Sequence, residues 1–202
     1  MSPAHLLPIL LLTVFSLMSP LLTIAAAPEP PTAIAAPARK TILLDDFENI
    51  GGWSALTSPT ARLEIAQDAG RTGRALRLDF EFQDGTGWVI ARKAFPMRLP
   101  DNFAFHFVLR GDASPGNAEF KLADSRENVW WFKKAEYAIP TDWRPITVKR
   151  RQLSLAWGPG GPLDEVAVLE FAFALGKPGK GSVWIDDLSF EQREPAHAYT
   201  LN

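Results

Sequence analysis

At 202 residues, with 21 basic and 23 acidic side chains and a formal net charge of −2, the chain carries no electrostatic footprint for nucleic acid. Its densest basic stretch, Lys149-Arg150-Arg151, reads as a solvated strand end rather than a phosphate site. Cysteine is absent, which excludes both disulfides and a lipoprotein anchor and leaves stability to a hydrophobic core.

In chain order, an apolar stretch from Leu6 to Leu22, broken by Pro8 and Pro20 and ending in Ala25-Ala26-Ala27, precedes the first charged side chain, Glu29. The pattern predicts a secretory signal peptide over residues 1–27. The competing reading, a membrane anchor, needs about 20 uninterrupted apolar residues, and the prolines count against it. The mature protein is therefore expected to be secreted or periplasmic, with no membrane attachment. Residues 28–40, rich in Pro and Ala, suit a spacer. A folded domain is expected over 41–192, large enough to bury roughly 70% of its unfolded surface, with a tail over 193–202.

Within that domain apolar residues recur at every second position. The runs are Leu76 to Phe82, Phe103 to Leu109, Phe120 and Leu122, Ile146 and Val148, and Leu169 to Leu175. This is the pattern of half-buried strands. Gly/Pro clusters at 84–87, 111–117, 158–162 and 177–181 separate them as turns. No helical stripe intervenes, so the expected fold is all-β: a two-sheet antiparallel sandwich of jelly-roll form. The opening Ile42-Leu43-Leu44-Asp45-Asp46-Phe47-Glu48 rhymes with the closing Val183-Trp184-Ile185-Asp186-Asp187-Leu188, and first and last strands are expected to meet.

The polar partners of the alternating runs define the other face of each strand: Arg77, Asp79 and Glu81, His106 and Arg110, Glu119 and Lys121, Thr147 and Lys149, and Glu170. Gathered on one outer surface with tryptophan, such groups make a saccharide platform, in which rings meet C–H faces and charged groups meet hydroxyls. An ordinary solvated sheet face is the alternative. In Val129-Trp130-Trp131-Phe132-Lys133 neighbouring side chains alternate in direction. Trp131 is expected outward, because the other register would bury Lys133 unpaired. The groove residues so assigned are Trp131, Arg110, Lys121, Glu119 and His106. Trp88 and Trp157, beside glycine-rich loops, either cap the ligand or pin loops to the core edge. Trp53, Trp143 and Trp184 are assigned to packing. Glu48, Asp187 and Asp46 gather carboxylates where the end strands meet, which suits a structural Ca²⁺; the alternative is that these acids cap backbone amides. Glu119 and Glu170 are the one carboxylate pair that could support glycoside hydrolysis, but no clustered catalytic set accompanies them.

Asp45-Asp46-Phe47-Glu48 with Trp53, the Gly73-Arg74-Ala75-Leu76-Arg77-Leu78 strand, the Phe120-to-Trp131 hairpin and the closing Trp184-Ile185-Asp186-Asp187 together resemble galactose-binding-like jelly rolls, family 11 carbohydrate-binding modules above all. The resemblance covers roughly residues 41–191. It implies a non-catalytic module, a polysaccharide or oligosaccharide as ligand, a calcium remote from the groove, and work beside a carbohydrate-active enzyme encoded separately or attached. This chain departs in having only two tyrosines, where related grooves use tyrosine for stacking. The complex I intermediate-associated family shares the Asp-Phe-Glu opening and implies instead a protein-assembly domain.

Overall fold

The structure is a computed structural model that describes residues 40–194. The expected signal peptide, nearly all of the spacer and most of the tail lie outside the described residues. Twelve strands build it: β1 Lys40–Asp45, β2 Ser54–Thr57, β3 Ala61–Ala69, β4 Arg74–Phe82, β5 Gly87–Arg98, β6 Phe103–Ala113, β7 Gly116–Ala123, β8 Val129–Tyr137, β9 Arg144–Lys149, β10 Ser154–Trp157, β11 Glu165–Leu175 and β12 Gly179–Gln192. A single 3₁₀ turn, Arg150–Gln152, joins β9 to β10.

The strands form two six-stranded antiparallel sheets. Sheet I has the order β3-β4-β12-β6-β9, with β1 paired to the C-terminal part of β12; sheet II has the order β10-β8-β7-β11-β5-β2. First and last strands do meet: Ile42 pairs with Phe190 and Asp45 with Leu188. β12 carries the phase change that allows this. Val183 and Ile185 face the core, a bulge at Asp186-Asp187 inserts an extra residue, and Leu188 and Phe190 then face the core in the opposite phase. Asp187 takes the left-handed backbone (φ 55°) at that bulge.

Each inner face is the apolar side of the alternation read in the sequence. Phe105 and Phe107 of sheet I meet Phe120 and Phe171 of sheet II at centroid distances of 5.0 to 5.7 Å, and Phe80 stacks on Phe173 at 5.8 Å. Buried phenylalanines contribute about 1.5–3 kcal/mol each, so this cross-sheet stack is the main weld between layers. The core ends at a polar plug. Lys93, on the inward side of β5, lies 2.8 Å from the Asp45 carboxylate, which also accepts from Trp53 Nε1 at 2.9 Å and from the Phe47 amide.

Candidate functional site

Sheet assignment divides the residues expected to share one surface. His106 and Arg110, on β6, lie on the outer face of sheet I, together with Arg77, Asp79, Glu81, Thr147 and Lys149. Glu119, Lys121, Trp131 and Glu170 lie on the outer face of sheet II, some two layers away. A single groove holding all of the expected residues is therefore corrected to two separate faces. Alternation shows that a side chain points outward but not from which sheet.

On sheet II the row Ser154, Trp131, Lys121, Glu170, Arg92, Ser54 runs across all six strands. Trp131 faces outward as expected, while Trp130 and Phe132 pack against the core. The floor of this face is charged yet covered: Lys121 and Glu170 are each 6% exposed. Among the described residues no third layer covers them, and the neighbouring side chains supply the cover. Lys121 Nζ lies 3.0 Å from Glu119 and 5.3 Å from the centroid of the Trp157 ring. Lys133 lies 3.8 Å from Glu119 and 4.9 Å from the Trp131 ring, and Arg92 lies 3.5 Å from Glu170. Trp131 and Trp157 meet edge to face with centroids 6.2 Å apart, and Trp157 keeps half of its surface exposed.

Trp88 stands on this same face, 43% exposed. It pairs with Ala174, four residues along β5 from Arg92. Strand spacing and rise per residue put it on the order of 20 Å from Trp131. The two tryptophan sites thus flank the charged floor diagonally.

A relay not recognised in the sequence holds Trp157 in place. In the β7–β8 turn the buried Asp124 carboxylate accepts from the Asn128 amide and side chain, both at 2.9 Å, and from the Arg126 amide at 2.8 Å. Asn128 in turn accepts from the Gly160 amide at 2.7 Å and donates to its carbonyl. Gly158, next to Trp157, has φ 118°, and a Cβ there would lie 2.6 Å from Asn128 Oδ1. Gly158 is thus required by close approach to Asn128, whereas Gly160 and Gly161 are favoured by their left-handed backbone, φ 89° and 117°. The available signal was an Asp and an Asn four residues apart in a hairpin turn, facing a Gly-rich loop.

Around Trp184 the outer face of sheet I is closed on itself, while toward β3 it holds an open cleft of about 760 Å³ lined by Glu64, Asp79, Glu81, Asp112 and Lys180. Arg110 lies 5.0 Å from the Trp143 ring and 4.4 Å from Trp184, and Arg77 lies 5.4 Å from Trp184. Trp184 also donates its Nε1–H to Asp68 at 3.0 Å. That bond, with the Ala69 amide and Arg77, holds the Asp68 carboxyl below the usual carboxylate range. Trp143 and Trp184 therefore pack not into the core but into an Arg/Trp stack. His106 is bonded to Thr147 at 3.0 Å and to Glu191 at 2.9 Å.

The carboxylates expected to hold calcium have protein partners. Asp46 accepts from the Glu48 amide at 3.1 Å, Glu48 from the Arg74 amide at 2.8 Å, and Asp187 lies 3.6 Å from Arg71. Asp186, at 1% exposure, accepts from the amides of Arg71, Thr72 and Asp187. Burial pushes its carboxyl above the usual range although these bonds pull it down. Among the described residues no group of three or more His, Asp or Glu side chains could hold a metal ion. Asp46, Glu48 and Asp186 thus cap amides between the end strands and the 70–74 turn, and Asp187 faces Arg71.

No protein-family model matches the sequence, and no curated protein matches it. Solved structures do. A family 11 carbohydrate-binding module from Clostridium thermocellum, in complex with a β-1,3-1,4-mixed-linked tetrasaccharide, matches with a TM-score of 0.62 at 17% identity, over 74% of this chain and 94% of that one. The family 11 module of the cellulosomal cellulase Lic26A-Cel5E of the same organism matches at 0.60 and 17% identity, over 79% of this chain and 99% of that one. An exo-β-agarase matches at 0.51 and 15% identity, over 78% of this chain but 26% of that one. The fold is thus the β-sandwich of carbohydrate-binding modules, reached at low sequence identity.

Proposed function

We propose that the described domain is a non-catalytic module that binds a polysaccharide across the outer face of sheet II. The observation that carries this reading is the pair of Trp131 and the half-exposed Trp157 beside the buried Lys121–Glu119 ion pair. The rings offer stacking area at small entropic cost, and the charged groups are already oriented for sugar hydroxyls. The sheet I face supports such a role less, since arginines flank Trp184 and Asp68 holds its N–H. Likeness to a module seen with a mixed-linked tetrasaccharide makes mixed-linked β-glucan the first ligand to try. Glu119 and Glu170 each have a cation within 4 Å, so both carboxylates are engaged in ion pairs on this face. The apolar stretch at 6–22 supports a secreted or periplasmic location, working beside a separate carbohydrate-active enzyme.

Affinity electrophoresis in mixed-linked β-glucan tests the reading. Wild type is expected to be retarded. Trp157→Ala should lose at least tenfold in affinity with its melting temperature nearly unchanged, because that side chain is half in water. Equal retardation of wild type and Trp157→Ala would sink the proposal.

A further inference from the structure

The Lys149-Arg150-Arg151 run closes β9 and enters the 3₁₀ turn. The turn from β9 into the 3₁₀ helix brings it beside Arg193, just past β12, and Asp101-Asn102, before β6. These six residues line a cleft of about 280 Å³. The walls are fixed: the Arg193 amide donates to the Asn102 carbonyl at 3.1 Å, and the Lys149 amide donates to Gln152 Oε1 at 2.9 Å. Arg71, Arg77, Arg92, Arg98 and Arg126 all contact carboxylates. Among the described residues, the side chains of Lys149, Arg150 and Arg151 contact none, and Arg150 Nε is buried with no hydrogen-bond acceptor. Four cations thus face Asp101, and Glu191 lies 3.8 Å from Arg193. Two positive charges remain uncompensated, in a chain whose net charge is −2.

We infer that this cleft is a binding site for a tetrahedral oxyanion, a sulfate or phosphate group. Guanidinium forks match such a group with paired hydrogen bonds, and a dianion cancels the excess charge. The site lies at the end of sheet I, away from the tryptophans of sheet II, and does not depend on the glycan reading. The group could arrive as an ester on a polysaccharide or as the free ion. Affinity gels containing dextran sulfate or uncharged dextran, run at constant ionic strength, test the first source; titration calorimetry with inorganic phosphate and sulfate tests the second. Wild type should be retarded by dextran sulfate only. Arg150→Gln/Arg193→Gln should weaken this about tenfold, and the exposed Arg151→Gln, which loses no packing, by two- to threefold. Lys177→Gln/Lys180→Gln, which removes the same charge at the far end of β12, should change it little. Saturable binding of inorganic phosphate that displaces dextran sulfate also supports the site, with the free ion as ligand. Absence of binding in both arms, or equal loss in the two double variants, overturns it. Retention by uncharged mixed-linked glucan, measured in parallel, reports on sheet II alone.

Discussion

Single side chains in this sandwich often act against their class. Lys93 points inward, whereas Lys121 points outward yet is 6% exposed; each is paired with a carboxylate about 3 Å away. Losing one partner of a buried pair leaves the other charge stranded. Asp45→Ala should cost about 3 kcal/mol in urea unfolding, the lower end of the range for such pairs, because Lys93 retains 22% exposure and can turn toward water. Lys93→Met should cost less, since Trp53 and the Phe47 amide still satisfy Asp45. At Asp124, burial pushes the carboxyl up, but bonds from Asn128 and Arg126 more than offset it and hold it below the usual range. Its folded value thus lies under the unfolded value of about 3.9. The resulting stability is present above about pH 4 and is lost as pH falls through the folded value. Melting curves should show Asp124→Asn well below wild type at pH 6, with the gap closing toward pH 3; a constant gap would mean that the ionised form is not what the turn uses.

Strands were legible in the sequence where alternation was uninterrupted. β4, β6 and β11 stand out because Phe and Leu fill four successive inward positions in each. β5 does not, since Lys93 occupies an inward place, and β2, with four residues, is too short to show a period. Alternation put Trp130 and Trp131 on opposite faces, and the cost of burying Lys133 unpaired favoured Trp131 as the outward one. Alternation could not assign β6 and β7 to different sheets, because the turn between them crosses the sandwich rather than folding back within one layer, and Arg110 and His106 were grouped with Lys121 for that reason. Nor could it reveal that β10 owes its position to Asn128, since that contact joins residues 32 apart. Asn128→Ala removes both bonds to Gly160 and frees the loop that carries Trp157. Glycan affinity should drop several-fold with Trp131 intact, and the tryptophan emission should shift to the red. Unchanged affinity and emission would show that β10 pairing alone positions the ring.

At the level of the whole molecule, the end strands are tied by carboxylates that cap amides. If capping alone joins them, the melting temperature should be the same in chelator and in millimolar calcium; a rise of several degrees on adding calcium would place an ion at the junction of Glu48, Asp46 and Asp187. That junction is also where β12 completes its pairings. Its 14 residues bond to β4, β6 and β1, so the central strand of sheet I comes after all of its neighbours in the chain. A polypeptide emerging amino end first, from a ribosome or through a membrane pore, holds β3-β4 and β6-β9 as separate two-stranded fragments with open edges until the last strand arrives. Until then it remains loose enough to be threaded and exposed to chance strand pairing, and once β12 is in place both hazards end together.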